Sequence, residues 1–427
     1  MNHDGESKRT KESRKFAAEA KPESPVVLTP EMTSWPPITY EERRLDYEDE
    51  EIEAYGSRRD RMLARGPYLA AVTPAIAEVR SIDVPSDVAA LAEDASAEIA
   101  RFDQEIGSEF ANFTSILLRS ESASSSEIEN LTAGARAIAL AEIGDTSKRN
   151  ALMIVANATA MNRALELADR LDEASIIAMH EALLGDANPE WTGRWRTDQV
   201  RIGGASVHTA RFVPPHQDRV PEAMTDLFEF IQRLDLPTFG QAAVAHAQFE
   251  TIHPFRDGNG RVGRALIHAM FKHRELTHNV TVPVSAGLLS DTDAYFNSLN
   301  EYRSGNVSAI VELMARASFS AIKNGRELAA DLQGCEDDWH SRLKARSDSS
   351  SWKIVNLVLR HPAIDSSFVQ RELSIGAVVA NRSIGQLVDA GILTEVSGFK
   401  RNRRWVASEV IDALDSFAKR AGRRRRG

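Results

Sequence analysis

Residues 250–268 read ETIHPFRDGNGRVGRALIH and place a short polar turn between two apolar, helix-like segments. Pro254 should end or kink the helix that leads up to it, because proline disfavours a helical conformation in the preceding residue. Gly258 and Gly260 flank Asn259, so consecutive backbone N–H groups are free to point the same way. Such a nest of N–H groups at the start of a helix is a binding site for an anion.

The charged residues of this turn predict which anion it binds. Arg261 and Arg264 lie three residues apart, on one face of the second helix, and both can reach a bound anion. Asp257 fits beside phosphates if Mg²⁺ joins them, since this cation takes one protein carboxylate together with phosphate oxygens. His253 precedes the nest and is of a type that titrates near neutral pH, so it can accept a proton from an attacking group. Together these residues predict a site for nucleotide phosphoryl or nucleotidyl transfer.

The segment HPFRDGNGRVGR, residues 253–264, resembles the signature HPFxDGNGRxxR of the Fic family (filamentation induced by cAMP) at every defined position. Most members of that family transfer AMP from ATP to hydroxyl groups of proteins. The resemblance covers about residues 35–325 and implies a mainly α fold, with a Fic helical core and a small β-hairpin flap. It also implies Mg²⁺ or Mn²⁺ as cofactor, ATP as substrate, and a protein with a Ser, Thr or Tyr hydroxyl as the target.

The resemblance further implies a role for each residue of the motif. His253 would act as the general base, and Asp257 would hold the metal ion across the α- and β-phosphates. Arg261 would bind the β-phosphate, and Arg264 would bind the γ-phosphate. The loop expected to cradle the phosphates consists of Gly258, Asn259 and Gly260. A kinase-like relative carries lysine at the second loop glycine, so the glycine in this chain favours nucleotidyl transfer over phosphoryl transfer.

A short hairpin is predicted from VRIGGASVHTARFVPP, residues 200–215, because β-forming residues surround a pair of glycines. This segment resembles the flap with which Fic proteins hold a target peptide by adding it as a strand. The flap residues expected to bind the target are Ile202, Gly203, Gly204, Val207 and Thr209.

A second motif, SASSSEIENLT at residues 122–132, places Ser125 and Glu129 one helical turn apart on a shared face. The pattern is also typical of a helix N-terminus with serine caps and early acidic residues. The stretch resembles the inhibitory motif of the Fic family, S/TxxxE followed by G or N, with Asn130 at the last position. The resemblance implies that Glu129 pairs with Arg264 and competes with the γ-phosphate for the same donors.

The C-terminal part predicts three helices and a hairpin with a basic tip, an order that resembles a winged-helix domain. The segments are SWKIVNLVLRH, SSFVQREL, GAVVANRSIGQLVDAG and ILTEVSGFKRNRRWVA. The hairpin and the tail would place basic side chains near phosphates: Lys400, Arg401, Arg403, Arg404 and Arg423–Arg426. In the third helix, the candidate recognition helix, Arg382 is the one arginine, and Asn381 and Gln386 are further candidates for reading bases, a small set for specific recognition. Both DNA binding and a role in protein interaction or dimerisation fit such a domain.

Length and composition limit the number of domains, the kinds of binding site and the location that the chain can have. The chain has 427 residues, a length that predicts two or three domains. Hydrophobic residues make up 42% and charged residues 27%, which is typical of a globular protein. A net charge of −10 gives no general attraction to nucleic acid. Cys335 is the only cysteine, which excludes an intramolecular disulfide and a zinc cluster of cysteines. The absence of an apolar signal segment or an eighteen-residue apolar run favours a cytoplasmic location.

The predicted regions are a disordered segment at 1–34, a helical region with the inhibitory helix at 35–130, a Fic catalytic domain at 131–333, a winged-helix domain at 345–420 and a basic tail at 421–427. The favoured function is AMP transfer to a target protein, including the chain itself, inhibited by Glu129. One alternative is a DNA-binding transcriptional regulator whose Fic domain senses nucleotides. Another is an enzyme that removes AMP from a modified protein, with Glu129 activating water. The identity of the target and the existence of a homodimer stay open.

Overall fold

The computed structural model of the chain describes residues 35–44, 66–109, 113–185, 187–204, 206–398 and 402–422. The segment predicted to be disordered, residues 1–34, lies outside these ranges, as do Lys400, Arg401 and the Arg423–Arg426 tail. Within them the secondary structure is mostly helical, which confirms the prediction of a mainly α fold. No helix of the described ranges is long and apolar enough to span a membrane.

The helices are α1 Ser86–Glu109, α2 Thr114–Ile128, α3 Ala135–Glu142, α4 Arg149–Glu166, α5 Glu173–Leu184, α6 Val220–Ile231, α7 Thr238–Ile252, α8 Asn259–His273, α9 Val284–Leu289, α10 Thr292–Arg303, α11 Val307–Arg342, α12 Ser350–Arg360, α13 Ser366–Leu373, α14 Ala377–Asp389 and α15 Ser408–Gly422. The strands are β1 Thr39–Arg43, β2 Tyr68–Val72, β3 Ala363–Asp365, β4 Thr394–Glu395 and β5 Arg404–Val406.

The helix α7 lies at the centre of the core, and every residue from Phe239 to Ile252 is buried. Several of its polar side chains form hydrogen bonds with neighbouring elements. Gln248 donates to the carbonyl oxygen of Pro74 at 3.0 Å and accepts from the Tyr302 hydroxyl at 2.9 Å. Because buried polar groups are costly without such partners, these bonds fix the position of the helix. His253, the residue that follows α7, is therefore attached to a rigidly held helix.

A two-stranded antiparallel sheet precedes the helical core and was not predicted from the sequence. β1 pairs with β2, with Thr39 opposite Val72 and Arg43 opposite Tyr68. On the other side of β2, the N–H of Ala71 donates to the carbonyl oxygen of Val213 at 3.0 Å. The sheet thus reaches the segment predicted to be the flap.

The helix α11 extends beyond the predicted end of the helical region at about residue 333. Apolar residues at helical spacing continue into the core as far as Trp339, which is completely buried, and the helix ends at Arg342. The break falls instead in the segment KARSDSSSW, where the hydroxyl of Ser349 caps α12 by accepting from the N–H of Ser351. The composition of that segment had marked the boundary more accurately than the helical pattern did.

The C-terminal part contains the three predicted helices, α12 to α14, followed by the antiparallel pair β4 and β5. Two further elements were missed: β3, which gives the sheet order β3-β5-β4, and the final helix α15. Arg403 pairs with Glu395, and Arg404 lies 2.9 Å from the carboxylate of Asp145, so both of these predicted phosphate ligands have acidic partners. The winged-helix assignment and the choice between DNA and protein as its partner stay predictions.

Candidate active site

The helix α7 ends at Ile252 and is capped by His253, just before the proline that predicted its end. His253 has a left-handed backbone conformation with φ 52°, and its N–H donates to the carbonyl oxygen of Phe249 at 2.9 Å. Arg196 holds the turn from outside: its Nε donates to the carbonyl of His253 at 2.8 Å, and its backbone N–H donates to the carbonyl of Pro254 at 2.9 Å. The backbone of the turn is therefore fixed at the residue expected to be the base.

Arg196, which holds this turn in place, was not identified in the sequence analysis. It is buried and also donates to the carbonyl oxygens of Asp198 and Pro215, which joins the flap segment to the motif. Burial lowers the pKa of Arg196 to about 10, and the negative charge of Asp198 opposes this shift. No local pattern marks such a residue, because its partners are carbonyl groups that come together only in the folded chain.

The loop after His253 is closed by the side chain of Asn259. Its Oδ1 accepts from the N–H of Phe255 at 2.8 Å, and its Nδ2 donates to the carbonyl of the same residue at 2.8 Å. The Phe255 ring is fully buried and stacks on His180 with centroids 3.8 Å apart. His180 in turn hydrogen-bonds the Asp257 carbonyl through Nε2 and accepts from the N–H of Gly193. The Asn259 side chain thus shapes the loop, which leaves backbone N–H groups for an anion.

The expected anion site combines free backbone donors with a buried arginine. Gly258 precedes α8 with φ 86°, and its N–H donates to the Asp257 carboxylate at 2.7 Å. The first N–H groups of α8 have no acceptor within the helix, as at any helix N-terminus. Arg261 is 3% exposed, and its Nε and Nη1 have no hydrogen-bond partner in the described part of the chain. Because an unpaired buried guanidinium is costly, its donors are arranged for a ligand that brings acceptors and negative charge.

Asp257, the predicted metal ligand, lies at the open side of the loop with its side chain 58% exposed. Its Oδ1 accepts from Gly258 and lies 3.7 Å from Nη2 of Arg261. No group of three acidic, histidine or cysteine side chains that could hold a metal occurs among the described residues. A cation at Asp257 would therefore need oxygens from a bound ligand, which suits a hard ion shared with phosphates.

Burial controls the protonation of His253. Burial, and then the charges of Arg196 and Arg303, lower the pKa of His253 to about 3. Its Nδ1 lies 3.8 Å from Oε2 of Glu250, too far for a hydrogen bond. Burial also raises the pKa of Glu250 to about 7. At neutral pH the imidazole is therefore uncharged and able to accept a proton, and Glu250 is close to its own midpoint.

Ser125 and Glu129, which are predicted to be inhibitory, both accept hydrogen bonds from Arg264. Arg264 is 1% exposed; its Nε donates to the Ser125 hydroxyl at 2.9 Å and its Nη2 to the Ser125 carbonyl at 2.8 Å. The same Nη2 lies 2.9 Å from Oε1 of Glu129. Burial works against the charge of Arg264, but the carboxylates of Glu129 and Glu250 outweigh it and raise the arginine's pKa.

The motif 122–132 lies at the end of α2, and the alternative of a helix N-terminus is wrong. Ser125 belongs to the last turn of α2, Glu129 caps it, and Asn130 follows with φ 62°. The N–H of Asn130 donates to the carbonyl of Glu127 at 2.9 Å. Asparagine and glycine accept this left-handed conformation most readily, which explains their place after the glutamate.

The flap segment does not form the predicted hairpin of two strands. A single bridge joins Ile202 and Phe212, with the Ile202 N–H donating to the Phe212 carbonyl at 2.9 Å. Gly203 and Gly204 both have positive φ, at 68° and 76°, so the chain turns too early for a ladder to continue. A Cβ at Gly204 would come 2.3 Å from the carbonyl oxygen of Thr209, so only glycine fits this turn. Val207 is buried against Tyr68, Ala70 and Val213.

Two further buried histidines, His246 and His268, flank the motif and have hydrogen-bond partners. His246 hydrogen-bonds the Tyr295 hydroxyl through Nε2 at 2.9 Å. His268 binds the carboxylate of Glu121 through Nε2 at 2.9 Å. Glu121 also accepts from the backbone N–H and the hydroxyl of Ser285. The bonds of Glu121 join α2, which leads into the motif expected to be inhibitory, to α8 and α9.

Comparison with known proteins identifies the class to which this site belongs. Residues 170–271 match the model of the Fic/DOC family, a range that includes the whole motif. The resemblance of the motif to the Fic family is therefore confirmed over residues 170–271. A solved structure of a Fic family protein from Desulfovibrio desulfuricans has a similar fold, with a TM-score of 0.50 and 19% identity over 79% of this chain and 98% of that one.

Several curated relatives are named protein adenylyltransferases. Fic-1 of Caenorhabditis elegans is 31% identical over 159 residues, which is 36% of this chain and 28% of the relative. A protein named Fic from Nematostella vectensis is 30% identical over 150 residues, 34% of this chain and 32% of the relative. A probable adenylyltransferase of Aquifex aeolicus is 28% identical over 170 residues, 38% of this chain and 47% of the relative. The chain thus spans less than half the length of each of these relatives.

Proposed function

We propose that the chain is a protein adenylyltransferase that transfers AMP from ATP to a Ser, Thr or Tyr hydroxyl of a target protein, itself included. The names of the relatives support this proposal. The observation that carries it is the buried Arg261, whose Nε and Nη1 have no partner in the described part of the chain, in the first turn of the helix that follows an uncharged histidine. This arrangement suits a triphosphate held next to a general base.

In this mechanism His253 removes the proton from the target hydroxyl. The oxygen forms a bond to the α-phosphorus of ATP, the bond from that phosphorus to the β-bridging oxygen breaks, and pyrophosphate leaves. The proton goes to Nε2, because Nδ1 lies on the side of Glu250. The charges of the bound triphosphate would raise the pKa of His253 from its low resting value and make it a stronger base.

The donors around the loop are suited to orienting the triphosphate. Arg261 would take the β-phosphate, and the N-terminal N–H groups of α8 would take oxygens of the same chain. Asp257 is suited to hold Mg²⁺ or Mn²⁺, because its carboxylate is exposed at the loop and needs further oxygens to complete a site. When bound, such a cation neutralises part of the phosphate charge. ATP as substrate and the metal as cofactor belong to this proposal.

Glu129 is proposed to inhibit the transfer. It occupies Nη2 of Arg264, which would otherwise bind the γ-phosphate, and Ser125 accepts from Nε and from the same Nη2. A carboxylate and a phosphate cannot use the same donor at once. ATP would therefore bind without its γ-phosphate in the productive position, and Glu129 must move before transfer occurs.

The test is labelling of the protein with ATP carrying ³²P at the α- or the γ-phosphate. The proposal expects label on protein from the α-position only, and none with His253→Ala. Label from the γ-position would indicate a kinase and contradict the proposal. Labelling that persists in the His253→Ala protein would show that His253 is not the general base.

Removal of AMP from a modified protein is a second candidate. Glu129 supports it, because its carboxylate is 39% exposed at the loop and could take a proton from water. Release of AMP from a protein labelled by the Glu129→Gly variant tests this role. Release by the parent that is lost with Glu129→Gln would favour it over transfer.

A further inference from the structure

The helix α2 separates the proposed inhibitory contacts from a cavity on its opposite side. The cavity lies between α2, α3, α4 and the C-terminal helix α15, and its volume is about 60 Å³. Most of its lining is apolar and comes from all four helices and the loop after α2: Ala123, Leu131, Ile138, Ile154, Leu414 and Phe417. Nothing in the proposed transfer reaction uses this space.

Two polar groups of the lining have no partner in the described part of the chain. The hydroxyl of Ser120 is buried, in a residue only 5% exposed, and makes no hydrogen bond. Glu127 is half-buried, and no described cation or donor pairs with its carboxylate. Burial raises the pKa of Glu127, as expected for an acid that has lost water without gaining a partner. Unpaired polar groups in an apolar cavity are the usual contacts that orient a small ligand.

The other charged residues that line the cavity are Arg119 and Asp415. Arg119 forms an ion pair with Glu142 and donates to the carbonyl oxygen of Arg360 at 3.0 Å. Asp415 accepts from the backbone N–H of Ala135 at 3.1 Å. The carboxylates of Glu127 and Asp415 thus have no cationic partner in the described part of the chain, which favours a cation as the ligand.

We propose that this cavity binds a small amphiphile with a protonated amine and a compact apolar body, and that the bound ligand strengthens inhibition by Glu129. The ammonium would donate to the Glu127 carboxylate and the Ser120 hydroxyl, and the apolar body would contact Ile138 and Leu414. The second half of this proposal rests on the proposed function.

Whether the ligand raises or lowers AMP transfer follows from the linkage between ligand binding and the position of α2. The cavity exists in the conformation in which Glu129 binds Arg264, and its wall is the same helix α2. Glu127 and Glu129 are two residues apart at the end of that helix. A ligand that binds this conformation more tightly than one with α2 displaced shifts the equilibrium towards it. Ligand binding should therefore lower transfer, and the loss of Glu129 should remove that effect.

The binding experiment uses the full chain, with benzylamine as the probe and benzyl alcohol as its uncharged counterpart. Calorimetry should detect benzylamine binding about tenfold more tightly than benzyl alcohol, the difference expected from one charge-assisted hydrogen bond. Glu127→Gln should remove that preference, and Ala123→Leu should weaken both probes by filling the cavity. Glu229→Gln, a change at an exposed acid of α6, should leave both affinities unchanged. Equal affinity for the two probes, or an unchanged preference with Glu127→Gln, would overturn the site.

Labelling with α-³²P-ATP tests the coupling. Benzylamine should lower labelling severalfold in the parent and leave Glu129→Gly and Glu127→Gln unaffected. If Glu129→Gly labels strongly and benzylamine binds the parent without changing its labelling, the regulatory half is wrong. If no variant labels at all but benzylamine binds as described, the adenylyltransferase proposal fails and the cation site stands.

Discussion

The carboxylate of Glu129 fills the space that a side chain at Gly260 would need: a Cβ built there would come 2.0 Å from Oε1. The same oxygen is 2.9 Å from Nη2 of Arg264. Glycine at this position therefore lets the carboxylate reach the arginine while the loop keeps its N–H groups accessible. The second loop glycine serves both the expected anion site and the contact expected to block it.

Replacing Glu129 with glycine should raise self-labelling by α-³²P-ATP about fivefold or more, a usual size for coupling between two ligands that exclude each other. The change frees Nη2 of Arg264 for a phosphate. Glu229→Gln is the control, because this exposed acid of α6 does not contact the arginine. Equal labelling by Glu129→Gly and the parent would contradict the inhibitory role.

Replacing Arg261 with methionine should stabilise the protein while it weakens ATP binding. The methionine fills the buried space without unpaired donors, so unfolding should cost about 1–2 kcal/mol more than in the parent. ATP affinity, measured by calorimetry, should fall about 10- to 100-fold with the loss of a charged phosphate ligand.

The control for Arg261 is Arg256→Met, an exposed arginine of the same loop with a distant acidic neighbour, Asp198, at 3.8 Å. It should change neither stability nor ATP affinity appreciably. A less stable Arg261→Met protein that binds ATP normally would show that the guanidinium serves the fold instead.

The local features of the motif could be read from the sequence because they depend on neighbouring residues. Pro254 ends α7, Gly258 takes a positive φ, and Arg261 and Arg264 share one face of α8. The contact of Glu129 with Arg264 crosses a long stretch of chain and was expected only from the family resemblance.

Other features depend on tertiary contacts or on competing preferences and were missed. The hydrogen-bond partners of Arg196 are backbone carbonyl oxygens, and these produce no pattern in the amino-acid sequence. Glu250 stood in the opening stretch, three residues before His253, but its role depends on burial. The flap was predicted as a hairpin from its β-forming residues, yet Gly203 and Gly204 turn the chain after a single bridge.

Replacing Asn259 with alanine should unfold the loop rather than only weaken ATP binding. The side chain makes two buried hydrogen bonds to Phe255, and losing both should cost about 2–4 kcal/mol of stability. Thermal unfolding should show this loss without any nucleotide present. Asn162→Ala, at an exposed position of α4, is the control and should unfold like the parent. A loss of ATP affinity at unchanged stability would instead place the side chain on the phosphates.

Replacing Glu250 with glutamine should stabilise the protein at alkaline pH relative to acidic pH. The folded-state pKa of Glu250 is raised from 4.5 to about 7, so the folded state holds a proton that the unfolded state has released. The stability from this protonated carboxyl is complete below pH 4.5 and is lost as the pH rises through 7. Glutamine stays neutral, so the variant should gain on the order of 1–3 kcal/mol over the parent between pH 5 and pH 8.5.

Denaturant unfolding of both proteins at the two pH values measures the change at Glu250. His246 and His253, whose pKa values are lowered to about 3, destabilise the fold as the pH falls below 6.5, but they do so in both proteins and cancel in the difference. Glu229→Gln, at an exposed position of α6, should show no such pH dependence. A pH-independent difference between Glu250→Gln and the parent would mean that Glu250 is ionised in the folded protein. In that case the carboxylate would stand 3.8 Å from His253 as a permanent charge and would raise the basicity of the imidazole before ATP arrives.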